Sequence, residues 1–279
     1  MNIKQLIENN KFNDKYILKL ILQDVFDFTK EQLYLNWDKE ITIEQFNKIE
    51  DIYKKYEQDN IPIEYLLWWT IFMWEKFIVN ENTLIPRPET EYLIKYALEE
   101  IRKDSIVFDI WTWSGIIWIN ISKNISNLVI CSDVSKEALE VAKKNNQRLN
   151  KNSKNIKFMI SNLWDHIKTY KWNLIICANL PYVEENFQLD EYAKKEPETA
   201  LFAGQDGLNL YRELLDQVVK MKNKKIVLFF ELMTKQAEAL ISEYKDFNFE
   251  ILDTFHYNIK ILKNYNLKSP KKIIILGDK

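Results

Sequence analysis

The chain has 279 residues, 47% of them hydrophobic and 29% charged, enough apolar material for one large or two ordinary domains around a substantial core. Its formal net charge of −2 carries no overall electrostatic footprint for nucleic acid, although a local basic face stays compatible with it. No apolar run approaches the ~20 residues of a membrane span, and the start MNIKQLIENNKF has no signal-peptide core, so no membrane partner is expected and the expected place is the cytoplasm.

Residues 1 to 60 contain neither Gly nor Pro and read as helices. Ile17, Leu20, Ile21, Val25 and Phe28 recur at helical spacing behind a candidate cap at Asp14. Thr42 and Gln45 form a capping-box pattern ahead of Phe46, Ile49, Tyr53 and Tyr56. A small all-helical N-terminal domain over residues 1–70 is expected, with a hairpin and linker over 71–88 and an α/β domain over 89–279. Within the linker, LIPRPETE from Leu84 to Glu91 sets two prolines around Arg87 and opens a helix with Glu89 and Glu91 in its first turn, where acidic groups favour the helix dipole.

Beyond it the pattern alternates. Strands are expected at Ile106–Ile110, Leu128–Ser132, Ile156–Ile160, Leu174–Ala178, Lys225–Leu232, near Phe249 and at Lys272–Leu276, separated for the most part by helices such as Lys136–Leu149. That alternation predicts a doubly wound, mainly parallel sheet, which binds its ligands at the carboxyl ends of the strands. Two such ends carry polar groups. Asn179-Leu180-Pro181-Tyr182 follows the apolar run Leu174–Ala178: the Asn side chain brings one acceptor and two donors, the proline stiffens the turn, and the tyrosine offers a flat face. These features suit a planar, nitrogen-bearing substrate, and equally describe a strand that ends in a proline turn. The second is Asp109-Ile-Trp-Thr-Trp-Ser-Gly115, in a position where a tight loop normally needs glycine because close backbone approach leaves no room for a Cβ. Farther on, Asp133 ends the next strand, placed either to hold ribose hydroxyls or to cap the helix from Lys136.

Composition adds one anomaly. Ordinary usage of ~7% would give roughly 20 glycines, yet there are 4, alongside 9 tryptophans. Cys131 and Cys177 lie inside apolar runs without C-x-x-C spacing, and the only histidines are His166 and His256, so buried free thiols are expected and no metal site.

Taken together, Pro62-Ile-Glu-Tyr-Leu, LIPRPETE, the loop from Asp109 to Gly115, Asp133, Asn179 to Tyr182, and EPETALFAGQDGLNLYR from Glu196 to Arg212 resemble the peptide chain release factor glutamine methyltransferases. The resemblance covers nearly the whole chain. Leu180 stands where that family has a proline, Asn162 and Asn173 stand where aspartates are usual, and the stretch from Phe255 to Lys271 matches poorly. The resemblance implies a seven-stranded Rossmann-like methyltransferase sheet and methyl transfer from S-adenosylmethionine to the glutamine of a Gly-Gly-Gln loop in release factors. It implies that the cofactor is bound by Asp109, Trp111, Thr112, Trp113, Ser114, Gly115, Asp133, Leu163 and Asn179. Asn179, Leu180, Pro181 and Tyr182 would be the catalytic clamp, with Arg87 and Glu196 joining them in substrate binding and the helical domain recognising the protein substrate. A monomer is expected, meeting the ribosome only indirectly, with nucleic acid not the expected partner.

Asn-Leu-Pro-Tyr also occurs in rRNA adenine dimethyltransferases, so a nucleic-acid adenine or cytosine N-methyltransferase is the alternative. Laid along the family pattern, Trp68, Trp74, Trp111, Trp113 and Trp118 fall where glycine is expected. One explanation is UGA codons read as glycine in the source cell. The other is genuine tryptophans that block the loop and leave a non-catalytic binding protein.

Overall fold

The computed structural model describes residues 1–151, 155–163, 173–221, 225–253, 261–264 and 271–277, and Trp164, Trp172, His166 and His256 lie outside them. The chain divides into two compact units, one formed by Met1–Trp69 with Leu189–Lys195, the other by Thr70–Gln188 with Glu196–Lys279.

The first unit is helical: α1 (Ile3–Glu8), α2 (Lys15–Phe26), α3 (Lys30–Leu35), α4 (Ile43–Asp59) and α5 (Ile63–Leu67). Its helix starts are written into the sequence. Asn2 with Gln5, Thr29 with Gln32 and Thr42 with Gln45 each close a capping box, and the Asp14 carboxylate accepts from the backbone of Tyr16 and Ile17; such caps satisfy amides that a first turn leaves open. Leu18, Ile21 and Leu22 of α2 pack with Ile49, Ile52 and Tyr53 of α4 in one buried cluster. Helices α2 and α4 end on Asp27 and Asn60 in the left-handed region, which these short polar side chains tolerate. Helix α5 ends the same way on Trp68, at φ +63°. In the returning segment, the Tyr192 ring stacks on Tyr56 with centroids 5.2 Å apart.

The hairpin of β1 (Trp69–Phe72) and β2 (Glu75–Ile78) opens the second unit from Thr70 onward. Both residues of its turn, Met73 and Trp74, have positive φ, the geometry of a type I′ turn. Then follow α6 (Thr90–Glu100), β3 (Ser105–Ile110), α7 (Ile116–Ser122), β4 (Val129–Asp133), α8 (Lys136–Leu149), β5 (Ile156–Ile160) and β6 (Asn173–Ala178). The chain continues through α9 (Glu198–Leu201), α10 (Asn209–Val219), β7 (Ile226–Glu231), α11 (Thr234–Glu243), β8 (Asn248–Asp253), β9 (Ile261–Asn264) and β10 (Lys271–Gly277).

Eight of these strands form one sheet in the order β5-β4-β3-β6-β7-β10-β8-β9. Seven run parallel, and β9 pairs antiparallel with β8 at one edge. That edge strand is one more than the sequence pattern predicts, because Ile261–Asn264 lacks the apolar run that marks the others. Strands β3, β4, β6 and β7 are almost wholly buried, as expected of parallel strands covered on both faces. Leu93, Ile94 and Ala97 of α6 share a core with Val107, Ile175, Val227 and Phe229 of the sheet. The chain winds from β3 toward β5 on one side and from β6 toward the far edge on the other, so the strand order reverses between β3 and β6, where doubly wound sheets open a ligand crevice.

Candidate active site

Both polar strand ends flank that crevice. Register pairs Ile110 at the end of β3 with Ala178 at the end of β6, so the Asp109–Gly115 loop and the Asn179–Tyr182 turn leave the sheet side by side.

The turn after β6 is tightly braced. Asn179 is buried, and its Nδ2 donates to Thr90 Oγ1 at 3.4 Å. Thr90 in turn donates to Glu231 Oε2 at 2.8 Å. An ionised carboxylate only accepts, so the Thr90 hydroxyl spends its hydrogen on Glu231 and can only accept from Asn179, which sets the amide with its nitrogen inward and leaves Oδ1 as an acceptor. Burial pushes the Glu231 carboxyl up to about 7, against the pull of the neighbouring Thr90 and Asn179 side chains. The Tyr211 hydroxyl accepts from the Leu180 N–H at 3.1 Å and lies 2.8 Å from the Glu231 carbonyl and 3.0 Å from that of Leu180. One hydroxyl hydrogen cannot serve both carbonyls, so Leu180 O keeps acceptor capacity. The Tyr182 carbonyl accepts from Gln236 Nε2 at 2.7 Å. A Cβ on Gly207 would stand 2.1 Å from that carbonyl, so glycine there lets the 196–212 segment pass against the turn.

Arg87 and Glu196 meet in an ion pair, and the second Glu196 oxygen accepts from the Ile85 N–H at 3.1 Å. With its side chain almost fully buried, Glu196 ties the LIPRPETE segment to the segment after the turn.

In the loop after β3, Asp109 is fully buried, and its Oδ2 accepts from Thr112 Oγ1 at 2.6 Å and from the Trp118 N–H at 3.3 Å. Desolvation raises its carboxyl to about 7. Asp133, at the end of β4, accepts from the Trp113 N–H (Oδ2, 2.9 Å) and the Ser135 N–H (Oδ1, 2.9 Å), and burial raises it to about 6. Ser135, not Asp133, caps α8, through the Ala138 N–H. Asn145 of α8 pairs with the backbone of Ile78 and donates to the Ser114 carbonyl at 2.9 Å, tying β2 to the loop. Gly115 starts α7 at φ +85°, and Leu163 is buried at φ +51°.

Trp111 and Trp113 sit in this loop at φ +59° and +52°, each 5% exposed, with rings 5.5 Å apart. A bulky residue in the left-handed region costs about 1–2 kcal/mol. Trp113 Nε1 donates to the Asn179 carbonyl at 3.2 Å, whereas Trp111 Nε1 is buried without a partner. Trp118 is helical, fully buried, and its Nε1 also lacks a partner. Its backbone makes no demand for glycine.

Thr90, Glu231 and Tyr211 escaped the sequence reading. A lone acidic residue closing the apolar run Ile226–Glu231 was the available signal, the same one that singled out Asp109 and Asp133.

The chain is 32% identical over 252 residues to a release factor glutamine methyltransferase of Lactococcus lactis subsp. lactis, covering 88% of this chain and 91% of that protein. A second relative of the same description, from Borreliella burgdorferi, is 32% identical over 286 residues, with coverage of 100% and 95%. The chain belongs to the release factor glutamine methyltransferase family. Family membership makes it a methyltransferase acting on protein. Residues 88–202 also match the family described as ribosomal protein L11 methyltransferase; that segment is less than half of the chain and spans the strands around the switch point. In fold, the chain is similar to the hMettl16 catalytic domain solved in complex with MAT2A 3'UTR hairpin 1, with a TM-score of 0.52 at 13% identity, covering 91% of this chain and 93% of that one.

S-adenosylmethionine, the cofactor the family implies, fits this crevice only in part. Asp133 and the left-handed loop backbone suit it, since a carboxylate offers about four lone-pair sites and two are in use. The side chains of Trp111 and Trp113 do not, because they are packed into the crevice and one is bonded to the clamp itself.

Proposed function

We propose that this methyltransferase modifies the side-chain amide nitrogen of the glutamine in the Gly-Gly-Gln motif of peptide chain release factors, with S-adenosylmethionine as methyl donor. An amide nitrogen is a poor nucleophile because its lone pair is delocalised into the carbonyl, so the protein must act through position and electrostatics. Asn179 Oδ1 and the Leu180 carbonyl accept the two amide hydrogens and hold the nitrogen at a reacting distance of ~3 Å. The same two oxygens would stabilise the positive charge that grows on it as the donor's S–CH3 bond breaks and the N–CH3 bond forms, and one of the two amide protons is then given up to water, leaving the neutral N-methyl amide and the thioether. Pro181 keeps the turn stiff, and Tyr182 packs on the flat amide. Asp133 would hold the ribose hydroxyls of the donor. Residues 1–70 recognise the body of the release factor, and remote binding energy of that kind aligns the reacting groups.

The observation that carries this reading is the orientation of Asn179. Its amide nitrogen is committed to Thr90, whose own hydrogen goes to Glu231, which leaves an acceptor for a group bearing two N–H donors. An adenine amino group offers the same two donors, so the test compares substrates. The enzyme carrying Trp111→Gly and Trp113→Gly is incubated with labelled S-adenosylmethionine and either a release factor, the same factor with its Gly-Gly-Gln glutamine replaced, or RNA. Label on the intact factor alone is expected. Label on RNA, or on the factor lacking that glutamine, would overturn the assignment.

A further inference from the structure

Four tryptophans occupy backbone that belongs to glycine. Trp68, Trp74, Trp111 and Trp113 have φ of +63°, +67°, +59° and +52°, in a region that glycine enters freely and that Asn and Asp tolerate better than other side chains. They are four of the seven tryptophans among the described residues, nine in the chain less those at 164 and 172. Three unrelated motifs make the same demand: the residue after a helix end at Trp68, the second central position of a type I′ turn at Trp74, and a tight strand-to-helix loop at 111 and 113. The indoles at 68 and 74 add little to compensate, and those at 111 and 113 fill the loop without satisfying it. Trp74 is 98% exposed and Trp68 57%, the Trp111 Nε1 is buried without a partner, and the Trp113 Nε1 engages an oxygen of the clamp.

Trp69 is the opposite case. It lies in strand β1, packs against the helical core and donates from Nε1 to Asp24 at 2.9 Å. Only 4 glycines are present where ordinary usage gives roughly 20.

We infer that residues 68, 74, 111 and 113 are glycine in the working protein, encoded by UGA codons that the source cell reads as glycine, and that Trp69 is a true tryptophan encoded by UGG. The loop then reads Asp109-Ile-Gly-Thr-Gly-Ser-Gly115 and leaves space for an adenosyl group over the switch point. That ligand rests on the proposed function; the residue assignment rests on backbone geometry together with the scarcity of glycine.

Mass spectrometry of the protein purified from its own cells tests the assignment. Cleavage after lysine yields peptides 56–76 and 104–123, which together hold all five positions. Glycine is expected at 68, 74, 111 and 113, and tryptophan at 69. Indole masses at 111 and 113 would overturn the inference, as would glycine at 69, because backbone geometry would then fail to sort the two kinds. A paired titration compares the chain with tryptophan throughout with one carrying Trp68→Gly, Trp74→Gly, Trp111→Gly and Trp113→Gly. The glycine form is expected to bind S-adenosylmethionine about a hundredfold more tightly or better. Native glycine at these sites without affinity for S-adenosylmethionine would leave the assignment standing and remove the cofactor reading.

Discussion

Two loops leave neighbouring strands at the same end of the sheet and are built in opposite ways. After β6, the Asn179–Tyr182 turn has no residue at positive φ, and its polar groups are held by Thr90, Tyr211 and Gln236. After β3, the Asp109–Gly115 loop carries two bulky residues in the left-handed region and three buried polar atoms without partners: Asp109 Oδ1, the Trp111 Nε1 and Ser114 Oγ. Buried groups left unpaired are individually expensive, and strained or unsatisfied positions gather where a ligand is meant to complete them. At the first loop, side chains and backbone agree. At the second, the backbone is that of a cofactor loop and the side chains at 111 and 113 are not.

The sharpest way to break the comparison is to remove the clamp. In the enzyme with glycine at 111 and 113, Asn179→Ala is expected to lower turnover about a hundred- to a thousandfold, the scale of losing one preorganised group that stabilises developing charge. Cofactor affinity should stay within a few-fold. Equal losses in turnover and cofactor binding, measured by steady-state kinetics and calorimetry, would assign Asn179 to the cofactor instead.

Asp133→Ala probes the other loop and should reverse that split. A charge-assisted hydrogen bond is worth about 1.5–3 kcal/mol, so S-adenosylmethionine affinity should fall roughly ten- to a hundredfold while turnover at saturation changes much less. Unchanged affinity would leave Asp133 as a brace for the Trp113 and Ser135 amides and nothing more.

The third test reaches the clamp through Glu231. Above its titration near 7 the carboxylate accepts from Thr90, which leaves Thr90 Oγ1 to accept from Asn179 Nδ2. Below it, the protonated group can donate to Thr90 Oγ1, which frees the Thr90 hydrogen for Asn179 Oδ1 and turns the amide away from its working orientation. Turnover should therefore rise with pH through about 7. Glu231→Gln should cut turnover about tenfold, the worth of one hydrogen bond in alignment, and abolish that acid limb. An identical pH profile in the variant would assign the limb to another group.

Sequence made the main features of this site visible where chemistry is local. Apolar runs announced β3, β4 and β6, and the polar residues directly after them marked the crevice because parallel sheets bind ligands at strand ends. The capping boxes at Thr42 and the cap at Asp14 were equally legible, since three or four residues contain the whole interaction. Thr90 and Glu231 were not. They are 141 residues apart and meet only through the packing of α6 against the sheet. Strand β9, four residues with Lys and Asn among them, has no apolar signature of its own and exists by pairing with β8. The glycine-like character of Trp68 and Trp74 was visible only against a family pattern, that of Trp111 and Trp113 also from their place in a tight strand-to-helix loop, and the dihedral angles supply the physical reason for it.

The smallest expected effect isolates backbone strain from everything else. Trp74 is 98% exposed, so replacing its side chain opens no cavity and removes little packing. Trp74→Gly should nevertheless raise stability by about 1 kcal/mol, because a Cβ in the left-handed region costs ~1–2 kcal/mol and glycine returns part of that as unfolded-state entropy. Trp74→Ala keeps the Cβ and should gain little. Denaturant midpoints for the three proteins separate the two causes. A gain with Gly and none with Ala locates the cost in the dihedral angle, whereas equal gains would mean that the exposed indole itself was the burden. The exposed turn carries none of the residues assigned to the chemistry, so this result bears on residue identity at 111 and 113 without depending on any ligand. If the turn is relieved by glycine, the loop that shares its backbone geometry has the same reason to be glycine.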